Sequence, residues 1–103
     1  MSYYYRYVII ETYRSDNELS RHSIRARPLS GQGLSTTLKV ECSTSMRELH
    51  PIGTKFKVWA KIKNTEDAPH LYTSWQWKYE IVSDEDVQAF INAKQWGIRK
   101  DNL

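Results

Sequence analysis

From Lys55 to Lys63 the chain alternates without a break: Phe56, Val58, Ala60 and Ile62 are apolar, Lys55, Lys57, Lys61 and Lys63 are charged, and Trp59 stands among the lysines. A period of two puts successive side chains on opposite faces of a strand, so this segment reads as a sheet strand with one dry and one wet face. A lone strand or hairpin is marginal in water, so the other segments must supply partners and an apolar layer.

They do. A first strand is predicted over about 3–14, where Tyr7, Val8, Ile9 and Ile10 run together, as in a strand covered on both faces or carrying a bulge. The polar stretch Ser15–Glu18 then predicts a turn. A second strand is predicted over about 22–29, with Ile24 and Ala26 on one face and Arg21, Arg25 and Arg27 on the other; Pro28 ends it or marks an edge. Gly31 and Gly33 predict a turn. A third strand, about 36–42, carries Leu38, Val40 and Cys42 on one face, and Ser45 with Glu48 leaves room for a single capped turn of helix. The alternating strand spans 55–63, followed by the polar connection 64–70. A fifth strand is predicted over 71–82, with Leu71, Thr73, Trp75, Trp77, Tyr79 and Ile81 in one phase. Ser83 is an N-cap, Asp84, Glu85 and Asp86 suit a first helical turn, and Gly97 suits the residue beyond the C-cap, so a helix is predicted over about 84–96. Residues 98–103 read as a frayed tail. Leu38, Val40, Val58, Ile62, Trp77, Ile81 and Phe90 are the expected core.

The order predicts one mainly β domain over 1–103: a five-stranded antiparallel small barrel, OB-like or SH3-like, with a C-terminal α-helix. The insertion between the third and fourth strands matches the OB-like order. An open sheet with the helix packed across it has the same strand count.

The chemistry that would mark an enzyme or a metal site is missing from the pattern. Cys42 and Arg47 are one residue too close for a phosphate loop of the Cys-x5-Arg kind, and Cys42 shares the phase of Leu38 and Val40, where a thiol is a small hydrophobe. His22, His50 and His70 have no second ligand at metal spacing. Gly31 and Gly33 lack the rest of a phosphate-binding motif. No cofactor, metal or catalytic set is therefore expected. One cysteine excludes an internal disulfide, and no apolar stretch acts as a signal peptide or spans a membrane, so a cytoplasmic location is expected.

What remains is surface chemistry, and the expectation is a non-catalytic binding module. Residues 1–63 hold 11 Lys/Arg against 5 Asp/Glu, whereas residues 64–103 hold 4 against 7. The first expectation is interaction with another protein or with a second copy, through Tyr3, Tyr4, Tyr5, Tyr7, Trp75 and Trp96 or an exposed strand edge, because Tyr and Trp dominate interface hot spots. The alternative is single-stranded DNA or RNA, held by Arg25, Arg27, Lys55, Lys57, Lys61 and Lys63 through phosphate neutralisation, with Trp59 stacking on a base. A solvated sheet also shows lysines on its outer phase, and a helix lying across that face would remove the stripe as a site.

Overall fold

The computed structural model describes residues 2–15, 24–64 and 69–100. Its elements are β1 (Ser2–Arg14), β2 (Ile24–Pro28), β3 (Lys39–Glu41), α1 (Thr44–Glu48), β4 (Lys55–Asn64), β5 (His70–Tyr72), β6 (Tyr79–Ile81) and α2 (Asp84–Ala93). The expected turn at Asp16–Glu18, the start of the second strand with Arg21 and His22, the acidic pair Glu66–Asp67 and residues 101–103 lie outside the described residues.

β1 pairs antiparallel with β2 over its second half and with β4 along nearly its whole length. β4 pairs antiparallel with β5, and β5 pairs with β3. β3 then lies beside β2, so five strands in the order β2-β1-β4-β5-β3 nearly close into a barrel. The β-rich barrel with a C-terminal helix expected from the sequence is the fold found, and its arrangement is compatible with an OB-like barrel.

The pairing departs from the expectation at one point: β3 and β5 run parallel. Parity requires it. An odd number of strands cannot alternate in direction all the way round a ring, so at least one neighbouring pair must point the same way. Parallel neighbours need a long crossover, which α1 and β4 provide.

The interior follows the alternation of β4. Phe56, Val58, Ala60 and Ile62 face Val8, Ile10, Ala26, Met46 and Leu71 in one buried cluster. Ile9 points the opposite way yet is 0 % exposed. The outer face there is covered by α2: the Lys55 ammonium lies 3.1 Å from the Asp84 carboxylate, and the Lys57 ammonium 5.2 Å from the Phe90 ring centre. Ser83 and Asp86 close a reciprocal capping box at its start, each bond 3.2 Å.

Three expectations are corrected. The strand predicted over 71–82 is two short strands. β5 pairs with Lys61–Lys63 and β6 with Phe56–Val58. Between them the chain leaves the sheet in a turn closed by Trp77 N–H donating to the Ser74 carbonyl at 3.0 Å. The Thr73 hydroxyl spans the gap, donating to the Trp59 carbonyl at 2.8 Å. The alternation resumes in β6, where Tyr79 and Ile81 stand opposite inward-facing Val58 and Phe56, but Ile81 is 56 % exposed and outside the core that buries Leu71, while Trp77, inside the turn, packs on the outer face. The helix ends at Ala93, not Trp96, because Lys94 takes the left-handed conformation (φ 53°) and caps it.

The tail is the third correction. It is held, not frayed, as far as Arg99. Tyr5 and Arg99 exchange backbone bonds of 2.6 and 2.8 Å, and Tyr7 N–H donates to the Trp96 carbonyl at 2.8 Å. This strap occupies the β1 edge that β2 leaves open, so the strand edge expected to be free there is filled.

Between strap and β2, the side chain of Gln32 completes the edge. Its Oε1 accepts from Ile9 N–H at 2.7 Å, and its Nε2 donates to the Ile9 and Leu29 carbonyls at 2.8 and 2.9 Å. The amide thus takes the place of a peptide group in the ladder. Gly31 (φ 90°) and Gly33 (φ 76°) flank it in the left-handed region that lets the loop turn this side chain inward. Gln32→Ala is expected to lower unfolding free energy by about 1–3 kcal/mol, since buried backbone groups of Ile9 lose a partner. Urea denaturation with an unchanged slope checks it, and a wild-type midpoint would refute the role.

Candidate functional site

The outer face of β1 and β4 carries one continuous set of rings and cations. Odd positions of β1 place Tyr3, Tyr5 and Tyr7 in register with Lys63, Lys61 and Trp59 of β4. Trp59 lies nearly parallel to Tyr5, with ring centres 6.2 Å apart and planes 11° apart, and meets Tyr7 edge-on at 4.9 Å. The Lys61 ammonium sits 4.3 Å from the centre of the Tyr3 ring and 6.0 Å from that of Tyr5. Tyr3 and Tyr7 remain 48 % and 41 % exposed.

The 74–78 turn adds to this face. Trp77 folds edge-on against Tyr5 and Tyr72, with centres 6.2 and 5.7 Å away. Trp75 projects from the same turn and is 77 % exposed. The turn and the strap form the two walls of a cleft of about 790 Å³, with Tyr7 and Trp59 as its floor, Gln76, Trp77 and Lys78 on one wall, and Gly97 and Arg99 on the other. None of the described residues that line it is acidic.

A buried cation holds the strap. Arg6 is 3 % exposed, and its guanidinium lies 4.3 Å from the centre of the Trp96 ring. It donates to the Gln32 carbonyl at 2.9 Å and the Tyr7 carbonyl at 3.0 Å, while Nη2 has no hydrogen-bond partner. Burial pulls its pKa below the ordinary arginine value, and the neighbouring Tyr4 phenol acts in the opposite sense. Guanidinium remains cationic under such shifts.

The residues singled out in the sequence do not all meet here. Trp59, Lys61, Tyr3, Tyr5 and Tyr7 are together, with Lys63 at the end of the row. Lys55 is paired with Asp84, and Lys57 is held between Tyr7 and Phe90, 4.9 and 5.2 Å from their ring centres. The helix therefore covers one end of the lysine stripe and leaves the other open. Arg27 pairs with Glu11 at 3.1 Å and lies over Tyr13 at 4.6 Å. Arg25 lines a separate cleft at the β2–β3 seam with Lys39 and Arg47. Six residues along a strand separate Tyr5 from Glu11, about 20 Å. Tyr4 points inward and packs on the core, and Trp96 lies beneath Arg6.

Sequence reasoning did not single out Gln76, Lys78, Gly97 or Arg99. Their only signal is the pair of polar residues Thr73-Ser74 in the middle of an otherwise ring-rich strand, and a glycine beyond the helix. Elsewhere the chemistry is quiet. Burial pushes the Cys42 thiol up, against a smaller pull from Arg47, which makes it a poor nucleophile. His70 lies 3.8 Å from Glu41, and His50 is 3.3 Å from the Tyr79 hydroxyl. No cluster of three His, Cys, Asp or Glu suited to a metal occurs among the described residues, and no helix there is long and apolar enough to cross a membrane.

No protein-family model matches the chain, and comparisons with curated proteins and with solved structures return no match.

Proposed function

We propose that this protein binds single-stranded nucleic acid on the outer face of β1 and β4. The observation that carries the reading is the row of rings from Tyr3 to Trp77 with cations set among them. Every base has a face that can stack on such a ring, and cations beside the rings neutralise phosphates. Alternate positions on a strand lie about 7 Å apart. That is about twice the 3.4 Å rise of stacked bases. The row therefore suits a strand whose bases are splayed apart and not a stacked duplex.

The same rings were the basis for expecting a protein partner. Tyr3, Tyr5 and Tyr7 and the open lysines form one patch, which favours a ligand that is aromatic and anionic at once. The β1 edge that a partner strand would need is filled by the strap.

The test is fluorescence polarisation of labelled single-stranded and duplex oligonucleotides at low and physiological salt. The expected result is tighter single-strand than duplex binding, falling with salt. Two phosphates, one at Lys61 and one between Lys78 and Arg99, give a slope of log K against log salt of about −1.4. No binding at low salt overturns the reading.

A second reading, a protein partner anchored on Trp75, is favoured by that residue's exposure. A mass that rises with protein concentration, and falls back in Trp75→Ala, would support self-association through it.

A further inference from the structure

The face is not uniform along its length, and the difference points to two kinds of contact. At one end the Tyr3 ring is 48 % exposed on the flat sheet beside the Lys61 ammonium, and Tyr5 is half-buried between Trp59 and Trp77. Around Tyr7 and Trp59 the strap and the 74–78 turn rise on either side. The cleft between them is open to solvent, and its volume of about 790 Å³ is within the range of small-molecule sites.

Its composition is that of a site for a flat, anionic, hydrogen-bonding ligand. Tyr7 and Trp59 meet at 63°, making a ringed corner instead of a flat platform, and Trp77 stands beside it. Arg99 and Lys78 come from opposite walls, so both carry charge of one sign into the same space. Gln76 brings an amide with separate donor and acceptor atoms to the lining, the pairing that recognition of a base edge requires.

Gly97 explains how the wall approaches so closely. Its φ is 65°, and a Cβ there would lie 3.3 Å from Cδ2 and 3.5 Å from Cε2 of Tyr7, and 3.9 Å from Cζ3 of Trp59. A methyl group at 97 would already press on the Tyr7 ring. A side chain at 97 would fill the space above the floor rings. Glycine is the residue used where backbone must pass close to a ligand.

Resting on the single-strand reading, we propose that this cleft is a slot for one whole nucleotide. The base lies against Trp59 and Trp77, its edge faces Gln76, and its phosphate lies between Arg99 and Lys78. The rings at Tyr3 and Tyr5 then form a track indifferent to sequence, and the slot is where base preference arises.

The test titrates the four 5′-mononucleotides and their nucleosides against the full chain holding a labelled single-stranded oligonucleotide. Nucleotides are expected to displace the label, and nucleosides to do so about tenfold less well, the loss that accompanies removal of a charge-assisted contact. Arg99→Gln is expected to erase the difference between nucleotide and nucleoside. Gln76→Ala is expected to flatten the ranking of the four bases. Both side chains sit on an exposed surface, and a thermal melt of each variant confirms an unchanged fold.

If the oligonucleotide binds while no mononucleotide displaces it, the slot is refuted and the single-strand reading stands. Nucleosides competing as well as nucleotides would refute the phosphate position. If mononucleotides bind directly, read by tryptophan fluorescence, and oligonucleotides do not, the slot stands and the single-strand reading falls. Binding of neither removes both.

Discussion

Val58→Asp is expected to abolish the cooperative thermal transition. Val58 is 1 % exposed, stands opposite Val8 of β1 and Tyr79 of β6, and lies between buried Phe56 and Ala60 on the inward face of β4. No cation faces the interior at that rung. A carboxylate placed there must either stay charged without a partner or take up a proton, and either course costs several kcal/mol. A domain of this size is stable by only about 5–15 kcal/mol in all. Circular dichroism during heating reads the outcome. A melt within a few degrees of wild type would mean that Val58 does not face inward.

One residue further along the same strand, the expected result is the reverse. Trp59→Ala should leave a cooperative melt and weaken single-strand binding. Trp59 lies on the outer face, and the bond its backbone carbonyl accepts from Thr73 survives the truncation. What disappears is a ring in contact with Tyr5 and Tyr7 that forms the cleft floor. Base stacking is worth about 1–3 kcal/mol per ring, or roughly 5- to 150-fold in affinity. Trp59→Phe should recover much of it. Unchanged affinity in Trp59→Ala, with the fold intact by melt, would sink the stacking role.

The contrast between these neighbours was legible in the sequence because period-two alternation over nine residues assigns each side chain to a face. The same logic read the capped start of α2 from Ser83 and its acidic first turn. It failed where the edges of strands are concerned. Nothing local to Gln32 reveals that its amide will stand in for a peptide group beside Ile9, 23 positions away. Nothing local to Arg6 reveals that it will be buried against Trp96. These are long-range hydrogen-bonding solutions, and a periodicity carries no information about them.

Periodicity also misled. The alternation from Leu71 to Ile81 is real as a pattern, and β5 and β6 keep it, but the turn inside it takes Trp77 out of the sheet and onto the outer face. The lysine stripe was visible, but the helix covering Lys55 and Lys57 was not, because the covering element lies some thirty residues downstream and its docking depends on tertiary contacts.

The strap has a consequence for how the protein is made. β1 is made before its neighbours along the rings, which are β4 and, much later in the sequence, Trp96–Arg99. The cleft joins Tyr7 of β1 to Gly97 and Arg99 of the strap, so it cannot form until the strap has been synthesised and has left the ribosome. Until then the tyrosines of β1 stay unpaired and exposed, the condition under which a β-rich chain is prone to aggregate. A protein fused directly after residue 99 would lie beside the cleft wall, so a purification tag placed there is a substitution in the site as much as an appendage to it.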